Sequence, residues 1–431
     1  MWEYKPPGFF ALYALATMLV PPRLAAWALG TIAILATTSA LYVIGRKIER
    51  ETTLAIAPWA VAFFVLLASE NDAIASDVEL EISAFIALAI AVAFARTSPL
   101  RRAMLAGLLA GIALQCKLTA LLLVPVVFAA LASGECGLLP FAAFAAAVVF
   151  PIALDLVIYA SAGALPLLYD ATIAASARRA GAEHGEILRR NFGWLVGQVR
   201  ILAPIVEFVP FALGIRATPA VLVAWLWAAA AFAAVLAAGE LYQRHFVLLA
   251  APVALVGAIG FARLRAWLHL RTSASVARAF VIASIALAFG LHDYYETVQS
   301  VRAIGARFGH KPIADLDREL VVAIVAAGGA HTTLFLAGVD PLIYDLAGAR
   351  ATTRFRDTEH LFDPRLSVMA GVDAPRELDA IFARRPRVVV APFAVNDYHL
   401  ANERIAVLQS RLVAEYVAYA DVRGFRIYRR R

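Results

Sequence analysis

Two lysines stand out as groups able to do chemistry. Lys5 lies in Trp2-Glu3-Tyr4-Lys5-Pro6-Pro7-Gly8, directly ahead of the first apolar stretch, and Lys117 lies in Gln115-Cys116-Lys117, midway along an apolar run. Proline fixes φ and keeps the residue before it out of the helical region. Lys5 is thus carried on a stiff, non-helical segment, a suitable way to hold a phosphate. The competing reading is an interfacial anchor whose ammonium snorkels to headgroups. For Lys117 the choice is the same, because an ionisable group at membrane depth is either functional or snorkelling. The chain has four lysines against 35 arginines, so two lysines in such places are a selective use of that residue.

The elements that must position them are set by composition. The chain has 431 residues, 62% of them hydrophobic and only 16% charged. Soluble domains carry about 25% charged residues. The apolar excess falls in runs long enough to cross a bilayer, which takes about 20 helical residues. The sequence therefore reads as an α-helical polytopic membrane protein. The net charge of +7 does not indicate nucleic-acid binding, because the arginines follow the loops between spans. Cys116 and Cys136 suggest neither a disulfide framework nor a metal site.

Hydropathy gives about ten spans, at Leu24–Ile44, Thr53–Ala68, Leu80–Ala95, Ala103–Leu114, Leu118–Ala132, Leu138–Ala160, Leu202–Ile215, Val221–Ala238, Phe246–Phe261 and Ala277–Leu291. Phe9–Val20, closed by Pro21-Pro22, is short and reads as an interfacial helix. The loops bearing Arg46/Lys47/Arg50, Arg96/Arg101/Arg102, Arg216 and Arg263/Arg265/Arg271 alternate with Glu70–Glu81, Ala160–Arg200 and Glu240–His245. The positive-inside rule makes the first set cytoplasmic and the second external. The run Leu105–Ala132 would span about 42 Å as one helix, well beyond a bilayer core. A polar break at Gln115-Cys116-Lys117 divides it into two short helices. Asp155 and Glu207 are polar anomalies inside apolar runs.

The membrane part is expected to cover residues 1–292 and a small external α/β domain residues 293–431. In the tail, Val321–Ala327, Ala374–Arg384 and Leu400–Leu412 read as helices. Thr332–Leu336, Val388–Ala391, Tyr416–Asp421 and Phe425–Tyr428 read as strands. No repeat, Walker loop, zinc spacing or GxSxG is present.

Several segments, taken in order, resemble one family. Trp2–Gly8 followed by aromatic residues is similar to the first external loop of bacterial GT-C glycosyltransferases of the family 39 type, whose members include protein mannosyltransferases, aminoarabinose transferases and Rgt-type galacturonosyltransferases. Arg23–Arg50 resembles the family's span ending in a Gly-Arg-basic loop, Ser76–Glu79 the acidic start of a later span, and Gly107–Thr119 its "GLLLGLAFLTK" segment. Tyr169–Thr172 resembles the "YDAT" of the large outer loop, Tyr242–Phe246 with Pro252 the "HY…P" span, and Pro341–Phe355 the "P-lY-laG…tRF" segment of the external domain.

The resemblance implies a GT-C-like membrane domain with a periplasmic C-terminal domain in a bacterial inner membrane. It implies transfer of a sugar from a polyprenyl-phosphate-sugar donor to an external glycolipid (lipopolysaccharide), polysaccharide or protein acceptor. Carried over by position, Asp77 and Glu79 are the catalytic acids, and Lys5, Lys117, Arg244 and His245 hold the donor phosphate. Tyr169 and Asp170 contact sugar or acceptor. A carboxylate pair at a helix start also has a plain structural explanation, since it meets the positive end of the helix dipole. No metal is implied with certainty, although some relatives use a divalent cation. In the family an N-terminal span and a first-loop acid precede the Lys-Pro-Pro segment. Here Glu3 is the only acid before Lys5, so the expectation is either a start upstream of Met1 or a homologue without its base. The alternative function is therefore an inactive relative that binds or flips a polyprenyl-phosphate lipid.

Overall fold

The computed structural model describes residues 6–70, 78–134, 137–175, 205–237, 243–273, 314–339, 341–353, 358–392, 402–422 and 424–431, with isolated positions 177, 178, 202, 275, 276, 279, 282, 283 and 355. The chain forms two compact units. One comprises Lys5–Leu168 and Glu183–Val298, the other Met1–Tyr4, Tyr169–Ala182 and Gln299–Arg431. The expected boundary at 292/293 and most of the span expected at Ala277–Leu291 lie outside the described residues.

The first unit is helical: α1 Pro7–Leu19, α2 Pro22–Thr52, α3 Ala57–Glu70, α4 Val78–Ala93, α5 Pro99–Cys116, α6 Val124–Ala132, α7 Leu138–Ser161, α8 Leu165–Tyr169, α9 Val209–Ala212, α10 Pro219–Ala237 and α11 Val247–Arg271. Four of these, at Leu24–Thr52, Leu138–Ser161, Pro219–Ala237 and Val247–Arg271, are long and apolar enough to cross a membrane. Shorter apolar helices lie between them, so described helix boundaries and the hydropathy spans coincide only in part. Where Leu202–Ile215 was expected to span, the described residues form the four-residue α9 flanked by turns.

Small residues let these helices approach closely, as is usual where lipid removes the hydrophobic drive between helices. Gly107 and Gly111, one turn apart on α5, face α7. A Cβ on Gly111 would lie 2.5 Å from the Val148 carbonyl and 3.1 Å from the Pro151 ring. At one end of the unit, carboxylates cap helix starts, which otherwise leave amides unpaired. Glu49 accepts from the Ile56 and Ala57 amides at 2.8 Å, and Glu51 from the Ala220 amide at 3.2 Å. Arg46 and Lys47 pair with the same two glutamates. Arg102 reaches the Ala93 carbonyl at the C-terminus of α4. Glu79 sits near the other terminus of α4, 14 positions from Ala93 and so about 21 Å from that arginine-rich end.

The C-terminal unit is a five-stranded sheet with helices on both faces. It contains α12 Ala314–Gly328, β1 Thr333–Leu336, α13 Leu342–Leu346, β2 Arg350–Ala351, α14 Glu359–Phe362, α15 Pro364–Ala370, α16 Ala374–Ala383, β3 Val388–Pro392, α17 Asn402–Glu415, β4 Tyr416–Val422 and β5 Phe425–Arg430. Strand order is β2-β1-β3-β5-β4. The first three strands run parallel, and β5 pairs antiparallel with β3 and β4. Side chains alternate along a strand. Leu334, Leu336, Val388 and Val390 therefore pack with Leu320 and Ile324 of α12, while Phe335, Val389 and Ala391 pack with Phe382 and Leu408. Every helix and strand expected in this tail is present. The short elements α13, β2, α14 and α15 are additions, too brief to carry a periodic signal.

The Pro341–Phe355 stretch is structural. Tyr344 is fully buried and its hydroxyl accepts the Leu336 amide at 3.0 Å. Gly348 ends α13 at φ +59°, a conformation that favours glycine. Thr353 accepts the Phe355 amide at 3.0 Å, and its hydroxyl donates to Glu377 at 3.3 Å. These residues fix the sheet edge. Arg354 lies outside the described residues.

Candidate functional site

The break expected in Leu105–Ala132 is present at Lys117. Helix α5 ends at Cys116, and Lys117 is extended at φ −163°, ψ 138°. A 3₁₀ segment, Leu118–Leu123, then leads into α6. The interruption turns the Lys117 side chain out of the helix ladder and towards α4. There its ammonium donates a hydrogen bond to the Glu79 carboxylate. Glu79 is 1% exposed and the Lys117 side chain 17% exposed. Such an ion pair, taken largely out of water, holds both charges in one geometry.

A third element closes the group. His245, in the turn Gln243–Phe246 that starts α11, is 3% exposed. Its Nε2 lies 3.6 Å from the same Glu79 oxygen. That is beyond hydrogen-bonding range, so the contact is electrostatic and strengthens only when the imidazole is protonated. Gln115 and Glu81 are buried nearby in sequence, on the same two helix ends. Glu81 and Cys116 lie within electrostatic reach of each other. The N-terminal segment reaches this group too: a Cβ on Gly8 would lie 2.4 Å from the Gln115 Cβ, and Pro6 is buried. The first turn of α1 therefore seats on the C-terminal turn of α5, two residues before Lys117.

Of the residues singled out by sequence, Glu79, Lys117 and His245 come together. Lys5 and Asp77 lie outside the described residues, as does the Arg244 side chain. Asp77 is joined to the cluster through the chain, since Val78 and Glu79 open α4. Tyr169 and Asp170 belong to the C-terminal unit. Tyr169 is largely exposed, and Asp170 pairs with Arg178 at 3.0 Å. Arg178 lies against Gly371, and Ala175 is fully buried in that unit's core. The segment thus docks on the α/β unit. The residues missed by sequence reasoning are Gln115 and Glu81. A signal existed for Glu81: it lies in the first turn of the same helix as Glu79.

Among the described residues no three His, Cys, Asp or Glu side chains gather as a metal site.

The fold is that of GT-C membrane glycosyltransferases, at low sequence identity. The chain is similar to the aminoarabinose transferase ArnT of Cupriavidus metallidurans in its apo state, with TM-score 0.59, 15% identity, and 99% of this chain and 88% of that one covered. The same protein bound to undecaprenyl phosphate aligns over the same shares at TM-score 0.56 and 14% identity. The oligosaccharyltransferase of Archaeoglobus fulgidus, tethered to an acceptor peptide containing an NVT sequon, aligns at TM-score 0.51 and 12% identity, over 91% of this chain and 61% of that one. No family model and no curated protein sequence matches the chain.

Proposed function

We propose that this protein is a glycosyltransferase that moves a sugar from a polyprenyl-phosphate donor to an external acceptor, at the outer face of a bacterial inner membrane. The observation that carries the reading is the junction of Lys117, Glu79 and His245 at a broken membrane helix, in a chain with a GT-C-like fold. The ArnT relative bound to undecaprenyl phosphate supports a lipid-phosphate donor, and the peptide-tethered oligosaccharyltransferase supports an external acceptor. The C-terminal α/β unit is the periplasmic domain in this reading.

In the reaction, the acceptor hydroxyl gives its proton to a carboxylate and its oxygen bonds to the anomeric carbon. The bond from that carbon to the phosphate oxygen breaks, and its electron pair leaves with the phosphate. Asp77, two residues before Glu79 in the chain, is the carboxylate for the proton. Lys117, with Lys5 and Arg244, meets the charge that grows on the phosphate, the kind of preorganised stabilisation that dominates many enzyme rates. Glu79 positions Lys117, while His245 backs the carboxylate.

The test uses the full chain in nanodiscs with a panel of undecaprenyl-phosphate sugars, reading released undecaprenyl phosphate and, separately, binding of the lipid. Release that disappears in Asp77→Asn while lipid binding persists supports the transferase. Lipid binding with no release from any donor would instead make the chain a lipid-binding or lipid-flipping protein.

A further inference from the structure

One end of the C-terminal sheet, where β1, β2 and β3 begin and β5 finishes, carries a row of arginines. The backbone sets it out strand by strand. Arg350 of β2 is in register with Thr333 of β1. The Arg387 amide donates to the Thr333 carbonyl at 2.9 Å, and the Arg430 amide donates to the Arg387 carbonyl at 3.0 Å. Tyr416 of β4, in register with Arg430, closes the row. Residues in register share a face of the sheet, and successive residues alternate. Tyr416 is buried with Phe335 and Val389. Arg350, Arg387 and Arg430 therefore lie at the rim of that same face. With neighbouring strands about 5 Å apart, Arg387 and Arg430 face each other at about that distance, and Arg350 lies about 10 Å from Arg387.

Such a row is unfavourable by itself, because like charges opposite each other on adjacent strands repel. Among the described residues no carboxylate pairs with any of the three. Glu415, beside Tyr416, pairs with Arg411 at 3.7 Å, and Glu377 lies 4.0 Å from Arg384. The other arginines of β5's last turn of chain are engaged elsewhere: Arg429 lies over the Tyr419 ring at 5.6 Å, and Arg431 donates to the Val413 carbonyl at 3.1 Å. Arg384 and Arg385 follow α16, and a helix C-terminus draws cations without any ligand. That accounts for those two and not for the three carried by the sheet. Arg350 and Arg387 are exposed and Arg430 is half-buried, so the row is open to a ligand.

Guanidinium groups take carboxylate or phosphate through two parallel N–H donors. A carboxylate has two oxygens and is filled by one such fork. A phosphate group has three acceptor oxygens, so one group can serve Arg387 and Arg430 together while a second reaches Arg350. We propose that this row binds a ligand carrying two or more phosphate groups. The site belongs to the C-terminal unit alone and does not rest on the transferase reading.

The probe is inorganic tripolyphosphate, set against orthophosphate and citrate, with binding to the full chain in phosphatidylcholine nanodiscs read by calorimetry at low salt. Tripolyphosphate is expected to bind at least tenfold more tightly than either of the others, and to weaken tenfold or more in Arg387→Gln and in Arg430→Gln. Arg411→Gln removes a cation already paired with Asp379 and is expected to keep full affinity. Relief of repulsion should leave the ligand-free unfolding temperature of Arg387→Gln equal to or above that of the native chain. Unchanged affinity in both row variants, an equal loss in Arg411→Gln, equal binding of citrate, or a lower unfolding temperature in Arg387→Gln would each overturn the proposal. Discs with phosphatidylglycerol in place of part of the phosphatidylcholine identify the source of the phosphates. Loss of the row-dependent binding there assigns the row to lipid headgroups, and its retention to a ligand outside the bilayer; both keep the phosphate chemistry. Because no turnover is measured, failure here is distinct from failure of sugar transfer by the α4–α5 cluster.

Discussion

The carboxylate of Glu79 and the ammonium of Lys117, 38 residues apart, share a hydrogen bond at the point where α5 gives way to a 3₁₀ segment. The helix break and the ion pair explain each other. The extended backbone at Lys117 aims its ammonium at α4, and without Glu79 the cation would sit at the break with less to hold it.

Removing one partner should cost far more stability than removing both. Lys117→Met leaves the Glu79 carboxylate buried, a change expected to cost about 3–5 kcal/mol. The double variant Glu79→Gln/Lys117→Met should recover most of that loss in thermal unfolding while remaining inactive in sugar transfer. Full recovery of activity in the double variant would remove Lys117 from the phosphate site.

The seat of α1 on α5 is tight. Gly8→Leu places side-chain carbons where Gln115 already stands, 2.4 Å from a Cβ. We expect the N-terminal segment to lift away, lowering affinity for undecaprenyl phosphate at least tenfold with unfolding temperature nearly unchanged. Gly8→Ala should give the same effect in smaller measure.

Burial pushes the Tyr416 phenol up to about 12, with the Glu415 carboxylate adding to the shift. A group whose folded pKa is raised stabilises the fold fully below its unfolded pKa, about 10 for tyrosine. That contribution is lost as pH rises from about 10 to about 12. Alkaline unfolding followed by circular dichroism should show this component in the native chain and not in Tyr416→Phe. The same variant loses the hydrogen bond to the Pro386 carbonyl, 2.8 Å long, costing about 0.5–1.5 kcal/mol at neutral pH.

Ala175 is fully buried in the core of the α/β unit. Ala175→Glu should therefore undock residues 169–178 and make them sensitive to limited proteolysis. Arg178→Ala removes only a half-exposed ion pair with Asp170, so its effect on stability should stay under about 1 kcal/mol. Equal protection in both variants would show that the segment is held elsewhere.

Much of this was legible from residue order. The break at Lys117 followed from length, since 28 apolar residues exceed one bilayer crossing and a polar triplet stands in the middle. The strands of the tail followed from their β-branched runs. Helix limits were less legible: α2 continues to Thr52, through Arg46, Lys47 and Arg50, and ends where Thr53 turns left-handed at φ 63° with its amide on the Glu49 carbonyl, a local geometry that hydropathy does not report. Glu79 was expected as a catalytic acid beside Asp77, but its pairing with Lys117 depends on how α4 packs on α5. Tyr169 and Asp170 carried a motif but no sign that their segment docks on a sheet formed much later in the chain. That contact is wholly tertiary, and no local pattern encodes it.

This last feature sets an order of assembly. Residues 169–182 are made well before the sheet that receives them, with the 116 residues 183–298 belonging to the helical unit in between. At 5–20 residues per second those residues alone take roughly 6–23 s to synthesise, and β4 and β5 come later still. During that interval the Ala175 face has no core to enter and must be tolerated exposed or held by a chaperone. A premature stop near residue 400 would complete the Glu79–Lys117–His245 helices yet orphan that segment permanently. Quality control outside the membrane, rather than insertion into it, would then decide the fate of the truncated chain.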